Sequence, residues 1–492
     1  MKLCHLGVKE TILGLKNKDF SATELAENQL AIAQRNEHNA FVYLDIEKTM
    51  KQAKNTDERI ANGKMLPLDG VLVGVKDLFC TKNIKTTACS KTLEGFIPPY
   101  ESTTTQRLWN YGAIFAGKMN MDEFAMGSTT EHSIFGRTIN PWSKLTGIKI
   151  VPGGSSGGSA AAVSNFSVPV ALGSDTGGSV RQPSSLCGIV GLKPTYGRCS
   201  RWGMIAFGSS LDCPGILSRS VEDVAIVLGA IAGFDHKDST SFNVKIDDYL
   251  CNIDNGVKGL KIGMPKQYFQ DMKLNAEIDT AINKAIKILS DNGAIIKEVS
   301  IPNITNSLLI YYITSAVEAI SNLARYDGIR YGTISDTKNI KSIDELYTHT
   351  RTKNFGREVR HRLLLGGMIL RSELKTKKYK RAQAVRQILA QDFHNVFKEV
   401  DCIISPTAPT PAFGIADQMD ELTIYQGDLL TTPANMACLP AISIPVALTK
   451  NNRPLGLQIM AKHFNEKIIL QVAKNIENFI DFNKISKKSL NP

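Results

Sequence analysis

The sequence lacks the long apolar run that a membrane-spanning helix requires. Such a helix needs about 18 or more consecutive apolar residues. The nearest case, residues 434–448, is interrupted by Asn435, Pro440 and Pro445. The first ten residues, MKLCHLGVKE, are too polar for the apolar segment of a signal peptide. The sequence therefore predicts a soluble, cytoplasmic protein.

Cysteine is present, but it has none of the spacings that build a metal site or a disulfide scaffold. The nine cysteines are dispersed, with no C-x-x-C pair and no Cys/His group at zinc spacing. An odd, scattered set is typical of reduced thiols inside a cell. We therefore expect no structural zinc and a reducing compartment.

Overall composition excludes a disordered chain. Hydrophobic residues make up 43% and charged residues 21%, which allows a sizeable core. The net charge of +11 favours encounter with polyanions but does not indicate a fold. The densest basic run comprises Lys375, Lys377, Lys378, Lys380 and Arg381. Such a run is usually a solvated helix face, and a nucleic-acid contact is the alternative.

Short apolar strands alternate with helical segments along the chain. Residues 70–78 contain a β-branched, glycine-containing run that is typical of a strand buried on both faces. A helix followed by a strand is predicted over residues 102–117, and another buried strand over residues 188–195. This alternation predicts an α/β fold with a mainly parallel sheet. Lys76 stands at the carboxyl end of the first of these strands, where ligands of open α/β sheets tend to bind.

The chain is predicted to form a single domain over residues 1–492, with four regions. Residues 1–64 are predicted to be helical, with a capping box at Ser21–Glu24. Residues 65–235 form the core that carries the chemistry, and residues 236–400 are mostly helical. Residues 401–475 return strands to the core.

Two Gly/Ser clusters, in residues 151–179, are the most unusual feature of the sequence. Residues 153–158 read GGSSGG, and residues 175–179 read DTGGS. Glycine costs backbone entropy on folding, so this density requires a positive φ or a close approach of backbone to a ligand. Serines among such glycines indicate nucleophilic chemistry beside exposed backbone N–H groups.

Three other interpretations fit parts of this segment. A flexible linker does not run directly into the apolar residues 160–163 and 168–172. A phosphate-binding loop would end in G-K-[ST], which is absent. Residues 153–157 formally match the G-x-S-x-G nucleophile elbow, which would make Ser155 the nucleophile with a histidine base such as His132. The elbow is the main mechanistic alternative.

The second cluster explains more of the sequence. Successive small residues in a turn can aim several N–H groups at one point, as an oxyanion hole requires. Ser179, at the end of that turn, is the candidate nucleophile and needs a base. A buried lysine becomes a base if its pKa falls from about 10.4 towards 7 or 8. Ser155 would then pass the proton between Ser179 and Lys76.

With these residues identified, the sequence resembles the amidase signature family. The resemblance rests on VPGGSSGGS at residues 151–159 and GSDTGGSVRQP at residues 173–183, preceded by GVKD around Lys76. It implies an amidase-signature fold, a large mixed, mainly parallel sheet covered by helices on both faces. It also implies a triad of Ser179 as nucleophile, Ser155 in a cis peptide bond, and Lys76 as general base. Four backbone amides would form the oxyanion hole, those of Thr176, Gly177, Gly178 and Ser179.

Within that family, the chain is most similar to the glutamine-hydrolysing subunits of tRNA-dependent amidotransferases. The similarity lies in seven further segments, residues 121–133, 193–203, 209–212, 311–319, 322–332, 355–366 and 425–435. It implies that Arg362, with Arg360 as the alternative, binds the α-carboxylate of glutamine. Asp428 would bind the α-ammonium, and Tyr312 would line the pocket. A fixed cation and a fixed anion suit a free amino acid.

The same resemblance implies how the product is used. Ammonia would convert Glu-tRNA(Gln) to Gln-tRNA(Gln), with Asp-tRNA(Asn) as a further acceptor. The partners would be B and C subunits in a heterotrimer. ATP and magnesium, with the tRNA, would belong to the B subunit, so this chain would need no metal or nucleotide. The alternative function is that of a stand-alone amidase that hydrolyses a small or aryl amide with the same triad.

Overall fold

The fold is an α/β structure built around one large sheet. The structure is a computed structural model, and it describes residues 2–270, 272, 274–334, 340–371, 375–417 and 419–490. The described residues contain eleven strands. They are β1 Phe41–Leu44, β2 Leu72–Lys76, β3 Ile114–Met119, β4 Val170–Asp175, β5 Val190–Lys193, β6 Cys213–Ser218, β7 Lys261–Pro265, β8 Ile295–Val299, β9 Cys402–Pro406, β10 Ala441–Leu448 and β11 Pro454–Ala461.

Helices of very different length connect these strands. In chain order they are α1 Val8–Asn17, α2 Ala22–Arg35, α3 Ile46–Ala61, α4 Thr103–Asn110, α5 Ser143–Thr146, α6 Gly157–Ser164, α7 Arg181–Cys187, α8 Val221–Ile231, α9 Lys266–Phe269, α10 Ala276–Asp291, α11 Ser307–Leu323, α12 Ile343–Asn354, α13 Arg357–Arg371, α14 Lys375–Val396, α15 Glu421–Gln426, α16 Thr432–Met436, α17 Glu466–Phe479 and α18 Phe482–Ser489. The region predicted to be mostly helical, residues 236–400, contains five of the longer ones, α10 to α14.

The sheet is mixed, as predicted, but parallel pairs are the minority. The strand order is β1-β3-β2-β4-β6-β5-β10-β11-β9-β7-β8. Four neighbouring pairs are parallel and six are antiparallel. The expectation of a mainly parallel sheet was therefore wrong. From β4 through β6, β5, β10 and β11 to β9, each strand runs antiparallel to its neighbour. Strands β6 and β11 were not predicted individually.

The N-terminal region has one strand that the sequence did not reveal. The predicted capping box is present, because Ser21 Oγ accepts from Glu24 N and the Glu24 carboxylate accepts from Ser21 N. Between α2 and α3, however, β1 pairs antiparallel with β3 at the edge of the sheet. With only four residues it is too short for its pattern to be distinguished from that of the flanking helices.

Helices cover both faces of the sheet. Alternate residues of a strand point to opposite faces, and in β2 Val73 and Val75 join one core cluster while Leu72 joins another. The first cluster contains apolar residues of α8, α10 and α17. The opposite face is covered by α2, α3 and α6 at one end of the sheet and by α11 and α14 at the other. The predicted layering is confirmed.

Two further properties follow from the described residues. No helix among them combines the length and the apolar character needed to cross a membrane. All nine cysteines lie in the described part of the chain, and none forms a disulfide there. Eight of them are buried or half-buried and Cys251 is exposed.

Candidate active site

Lys76 lies at the end of β2 with its amine enclosed by hydroxyl groups. The strand is buried along its whole length, and Lys76 has no exposed surface. Its Nζ donates to Ser155 Oγ at 2.7 Å, to Ser156 Oγ at 2.8 Å and to Ser174 Oγ at 2.9 Å. Burial lowers the pKa of Lys76 to about 7, although the negative charges of the Asp122 and Asp175 carboxylates act to raise it. An amine with this pKa can accept a proton near neutral pH.

Ser155 lies in the short irregular segment that leads into α6. The peptide bond between Gly154 and Ser155 is cis, as the resemblance implied. Ser155 is completely buried, and its carbonyl oxygen accepts from Asp122 N at 3.2 Å. A Cβ on Gly154 would lie 2.3 Å from Asp122 Oδ2 and 2.6 Å from Thr129 N, so no side chain fits there. Close approach of two chain segments therefore explains this glycine.

The two Gly/Ser clusters meet in the folded protein. Ser156 N donates to Ser179 O at 3.2 Å, which joins the start of α6 to the start of α7. Ser179 is 7% exposed to solvent, whereas Ser155 and Lys76 are completely buried. Ser179 is therefore the member of the predicted triad with access to a ligand.

The turn between β4 and α7 is organised by the Asp175 carboxylate. It accepts from Gly178 N at 3.0 Å and from Val180 N at 3.2 Å. Arg181 and Asn435 donate to the same carboxylate at 2.8–3.0 Å. Burial alone would raise the pKa of Asp175, but the Arg181 guanidinium lowers it to about 2. The turn is thus held around a carboxylate that stays ionised at neutral pH.

This arrangement changes one detail of the predicted oxyanion hole. The Gly178 N–H already donates to the Asp175 carboxylate. Of the four predicted donors, the amides of Thr176, Gly177 and Ser179 therefore remain available to an oxyanion. Gly178 has instead a conformational role. Its φ is +136°, and a Cβ there would lie 2.1 Å from Thr431 Oγ1, which itself donates to Gly177 O at 2.6 Å. Thr431 therefore holds the turn from the opposite side.

The predicted glutamine-binding residues are brought together near this turn. The Arg362 guanidinium lies 4.5 Å from the centre of the Tyr312 ring, and Tyr312 OH donates to Asp428 Oδ2 at 3.3 Å. Arg362 is 4% exposed and Asp428 8%. Arg360, the alternative to Arg362, is exposed to solvent. The structure therefore favours Arg362.

The electrostatics of this pocket suit a charged ligand. Burial raises the pKa of Asp428 to about 7, although Arg362 opposes the shift. Burial disfavours the charge of Arg362, but Tyr312 and Glu358 raise the pKa of Arg362 above its ordinary value. The pocket thus holds a permanent cation and a carboxyl group that an ammonium ion would ionise.

Residues that the sequence did not single out connect this pocket to the turn. The Tyr311 ring lies 2.5 Å from where a Cβ of Gly177 would be. Thr431 N, which belongs to the segment that follows Asp428, donates to Asp428 O at 3.2 Å. Glu358 and Tyr425 contact Arg362 directly. These residues lie within the similar segments 311–319, 355–366 and 425–435, but only their spatial proximity to the pocket indicates what each one contacts.

The nucleophile-elbow alternative does not fit the geometry. An elbow places its serine between a strand and a helix, but residues 151–156, which precede α6, form no strand. The group that hydrogen-bonds the Ser155 hydroxyl is Lys76, not a histidine. His132 N donates to Asp122 Oδ1 at 3.2 Å, so this residue supports the neighbouring loop. Within the described part of the chain, no three His, Cys, Asp or Glu side chains are grouped as ligands of a metal ion.

Comparison with known proteins agrees with this geometry. The Amidase family profile matches residues 24–470. The A subunit of glutamyl-tRNA(Gln) amidotransferase from Ehrlichia canis (strain Jake) is 49% identical over 96% of this chain and 98% of its own length. The protein of the same name from Orientia tsutsugamushi (strain Ikeda) is 46% identical over 99% of both chains.

A solved structure extends the similarity to the fold. The crystal structure of the A subunit of glutamyl-tRNA(Gln) amidotransferase from Thermotoga maritima superimposes with a TM-score of 0.80. It is 34% identical, and the match covers 97% of this chain and 95% of the other. The chain therefore belongs to the amidase family and, within it, to the family of glutamyl-tRNA(Gln) amidotransferase A subunits.

Proposed function

We propose that this chain hydrolyses the side-chain amide of glutamine and supplies the ammonia to a tRNA-dependent amidotransferase. The observation that carries the proposal is the fully buried Lys76 amine, which is hydrogen-bonded to Ser155 and, among the described residues, free of a directly bonded carboxylate. A lysine in that setting is a base near pH 7, and it lies beside two serines on a glycine-rich turn.

Acylation would begin with Ser179 Oγ attacking the amide carbon of glutamine. The Ser179 proton passes to Ser155, whose own proton passes to Lys76 Nζ. The tetrahedral oxyanion is stabilised by the amides of Thr176, Gly177 and Ser179. Loss of one such donor typically costs about 10²–10³ in rate. The C–N bond then breaks as the proton returns through Ser155 to the nitrogen, and ammonia leaves.

Deacylation would reverse the proton path with water as the nucleophile. Water attacks the acyl carbon of the ester on Ser179 while its proton passes through Ser155 to Lys76. The ester bond breaks, Ser179 recovers its proton, and glutamate leaves. The sum is glutamine plus water giving glutamate plus ammonia, with the triad unchanged.

Recognition of glutamine would use both ends of the amino acid. Arg362 would bind the α-carboxylate and Asp428 the α-ammonium, with Tyr312 between them. The contact of Tyr311 with the Gly177 turn supports this assignment, because it joins the two parts of the site.

The chain would act within a larger complex. The named relatives are subunits of glutamyl-tRNA(Gln) amidotransferases, which supports assembly with other chains. We propose B and C subunits as these chains. ATP, magnesium and the tRNA would be bound by the B subunit, with none of them needed here. The unpaired cysteines support a cytoplasmic location.

Ammonia release from glutamine by the purified complex tests the proposal. Wild type should be active, Ser179→Ala should lose activity, and Arg362→Ala and Asp428→Ala should show a strongly raised KM. A stand-alone amidase is the alternative outcome. It would be indicated if both pocket variants hydrolysed glutamine as wild type does while simple aliphatic and aryl amides were hydrolysed rapidly.

A further inference from the structure

Arg362 is held by an anion that belongs to the protein itself. Its Nε donates to Glu358 Oε1 at 2.7 Å, one turn earlier on α13. Both side chains are buried, at 5% and 8% exposure. The desolvation cost of a buried ion pair can exceed its Coulombic gain, so such a pair is weak evidence of stabilisation. Its position beside the pocket points to a functional role.

Tyr425 fixes both members of this pair. Its hydroxyl lies 3.3 and 3.2 Å from the two carboxylate oxygens of Glu358. Its ring centre lies 5.2 Å from the Arg362 guanidinium and 4.9 Å from the centre of the Tyr312 ring. The guanidinium is therefore held along one edge by a carboxylate and contacted by two aromatic rings, which leaves it few orientations.

The Tyr311 hydroxyl also lies close to the Arg362 guanidinium, but it does not satisfy every donor there. Arg362 Nη1 is buried, and no described atom accepts a hydrogen bond from it. A buried donor without an acceptor costs about 1–3 kcal/mol. Nη1 therefore marks a place for an acceptor that a ligand brings.

Asp428 is the protein group that would otherwise take that place. Within the described residues, no guanidinium nitrogen of Arg362 lies within 4.0 Å of an Asp428 carboxylate oxygen, although the charge of Arg362 acts on that carboxyl. A cation and an anion in one buried pocket attract each other strongly. Their direct contact would fill the space that separates the two ends of a bound amino acid.

We propose that Glu358 is a positioning residue that keeps Arg362 from pairing with Asp428. By occupying Nε, it leaves Nη1 open to the α-carboxylate of glutamine. It does not touch the substrate and acts through Arg362. This inference rests on the proposed function, and it adds the residue that sets selectivity for amides carrying an α-carboxylate.

The test compares glutamine with butanamide in the assembled complex. The second compound keeps the side-chain amide of glutamine but has neither the carboxylate nor the ammonium group. Glu358→Gln preserves the shape of the side chain and removes its charge. We expect the KM for glutamine to rise roughly 10- to 100-fold with kcat nearly unchanged. The kcat/KM for butanamide should stay within about 2-fold of wild type, because it has no charged group for Arg362 or Asp428 to bind.

A matched control lies on the same two helices. Arg357 and Glu421 form a 2.7 Å ion pair between α13 and α15, with side chains 72% and 57% exposed. Exposed pairs contribute little, so Glu421→Gln should leave both amides with kinetic constants within about 2-fold of wild type.

Three results would overturn the inference. One is a wild-type KM for glutamine in Glu358→Gln. Another is an equal loss with both amides, which is what a purely structural role would produce. The third is a wild-type complex that releases no ammonia from glutamine. That result would remove the proposed function as well, and so is distinct from a failure confined to Glu358.

Discussion

Lys76 and Lys118 are near neighbours in the sheet, and both are completely buried. Lys76 is the last residue of β2, and Lys118 is the residue before the last of β3. The two strands are parallel, with Lys118 paired to Val75. Since Val75 and Lys76 point to opposite faces, the two lysines leave the sheet in opposite directions. Burial lowers the pKa of both.

The groups around the two amines are different in kind. Lys76 Nζ donates to three serine hydroxyls and to Ser174 O at 3.4 Å, and carboxylates act on it only from a distance. Lys118 Nζ donates to Phe79 O and Thr81 Oγ1 and lies 3.8 Å from Asp77 Oδ1. A carboxylate favours the charged amine, whereas hydroxyls can accept from it or donate to the neutral amine. Burial thus makes a lysine a possible base, and its partners decide whether it is one.

The largest effect is expected from Lys76→Met. Without the amine no group can take the proton of Ser179 through Ser155, and general-base catalysis is typically worth about 10²–10⁴ in rate. We expect kcat for glutamine to fall by that factor in the assembled complex, with the protein still folded by circular dichroism. A loss of less than about 10-fold would mean that Lys76 is not the base.

Lys118→Met is expected to lower the stability of the folded protein and to leave the catalytic rate nearly unchanged. Removing the cation leaves the Asp77 carboxylate buried without a countercharge, which typically costs about 3–5 kcal/mol. Urea unfolding of the isolated chain should show the loss, and kcat per folded molecule should stay within a few-fold of wild type. A rate loss as large as that of Lys76→Met would break the comparison between the two lysines.

The pH profile should report Lys76 and not Lys118. Only the neutral amine is a base, so kcat should fall about 10-fold per unit as pH drops below about 7 and level off above it. If Asp428 binds the α-ammonium of glutamine as proposed, bound glutamine would keep the Asp428 carboxylate ionised, so Asp428 would affect kcat/KM more than kcat. Lys118→Met should leave the midpoint of the kcat profile in place, and a shift of that midpoint would contradict the assignment.

The smallest effect is expected from Ser174→Ala. Its hydroxyl accepts from Lys76 Nζ, and losing an acceptor disfavours the charged amine. The pKa of Lys76 should fall, so the midpoint of the kcat profile should move to lower pH by about 0.4–1 unit.

A suitable control for this variant is Ser159→Ala. That buried hydroxyl donates to Leu172 O at 2.9 Å and is not among the partners of Lys76. An identical midpoint in Ser174→Ala and Ser159→Ala would show that the hydroxyl shell does not set the basicity of Lys76.

Most of the strands were predictable from the sequence. The run around residues 72–76 is apolar on both faces, so its period indicates a buried strand whatever the rest of the fold. The direction of neighbouring strands was not predictable, because β4, β6 and β5 are joined by connections whose geometry depends on packing. That is why the antiparallel centre of the sheet was missed.

The site was predictable where one motif contains the chemistry. The turn at residues 175–179 and the segment at residues 153–158 could be assigned because glycines so closely spaced are costly unless the backbone requires them. The proposed roles of Glu358 and Tyr425 could not be assigned from the sequence, since a glutamate one turn before an arginine is common on any helix. Their role appears only when α13 and α15 are seen in contact.

The sequence by itself determined which groups are available. It places a lysine at the end of a strand, serines among glycines, and an arginine and an aspartate on later segments. Only the tertiary structure decided their protonation and their partners. Lys76 meets Ser155 across 79 residues of chain and Ser174 across 98. Desolvation and Coulombic interaction depend on distance in space, so a pKa of about 7 for that lysine exists only once β2, β4 and α6 have packed together.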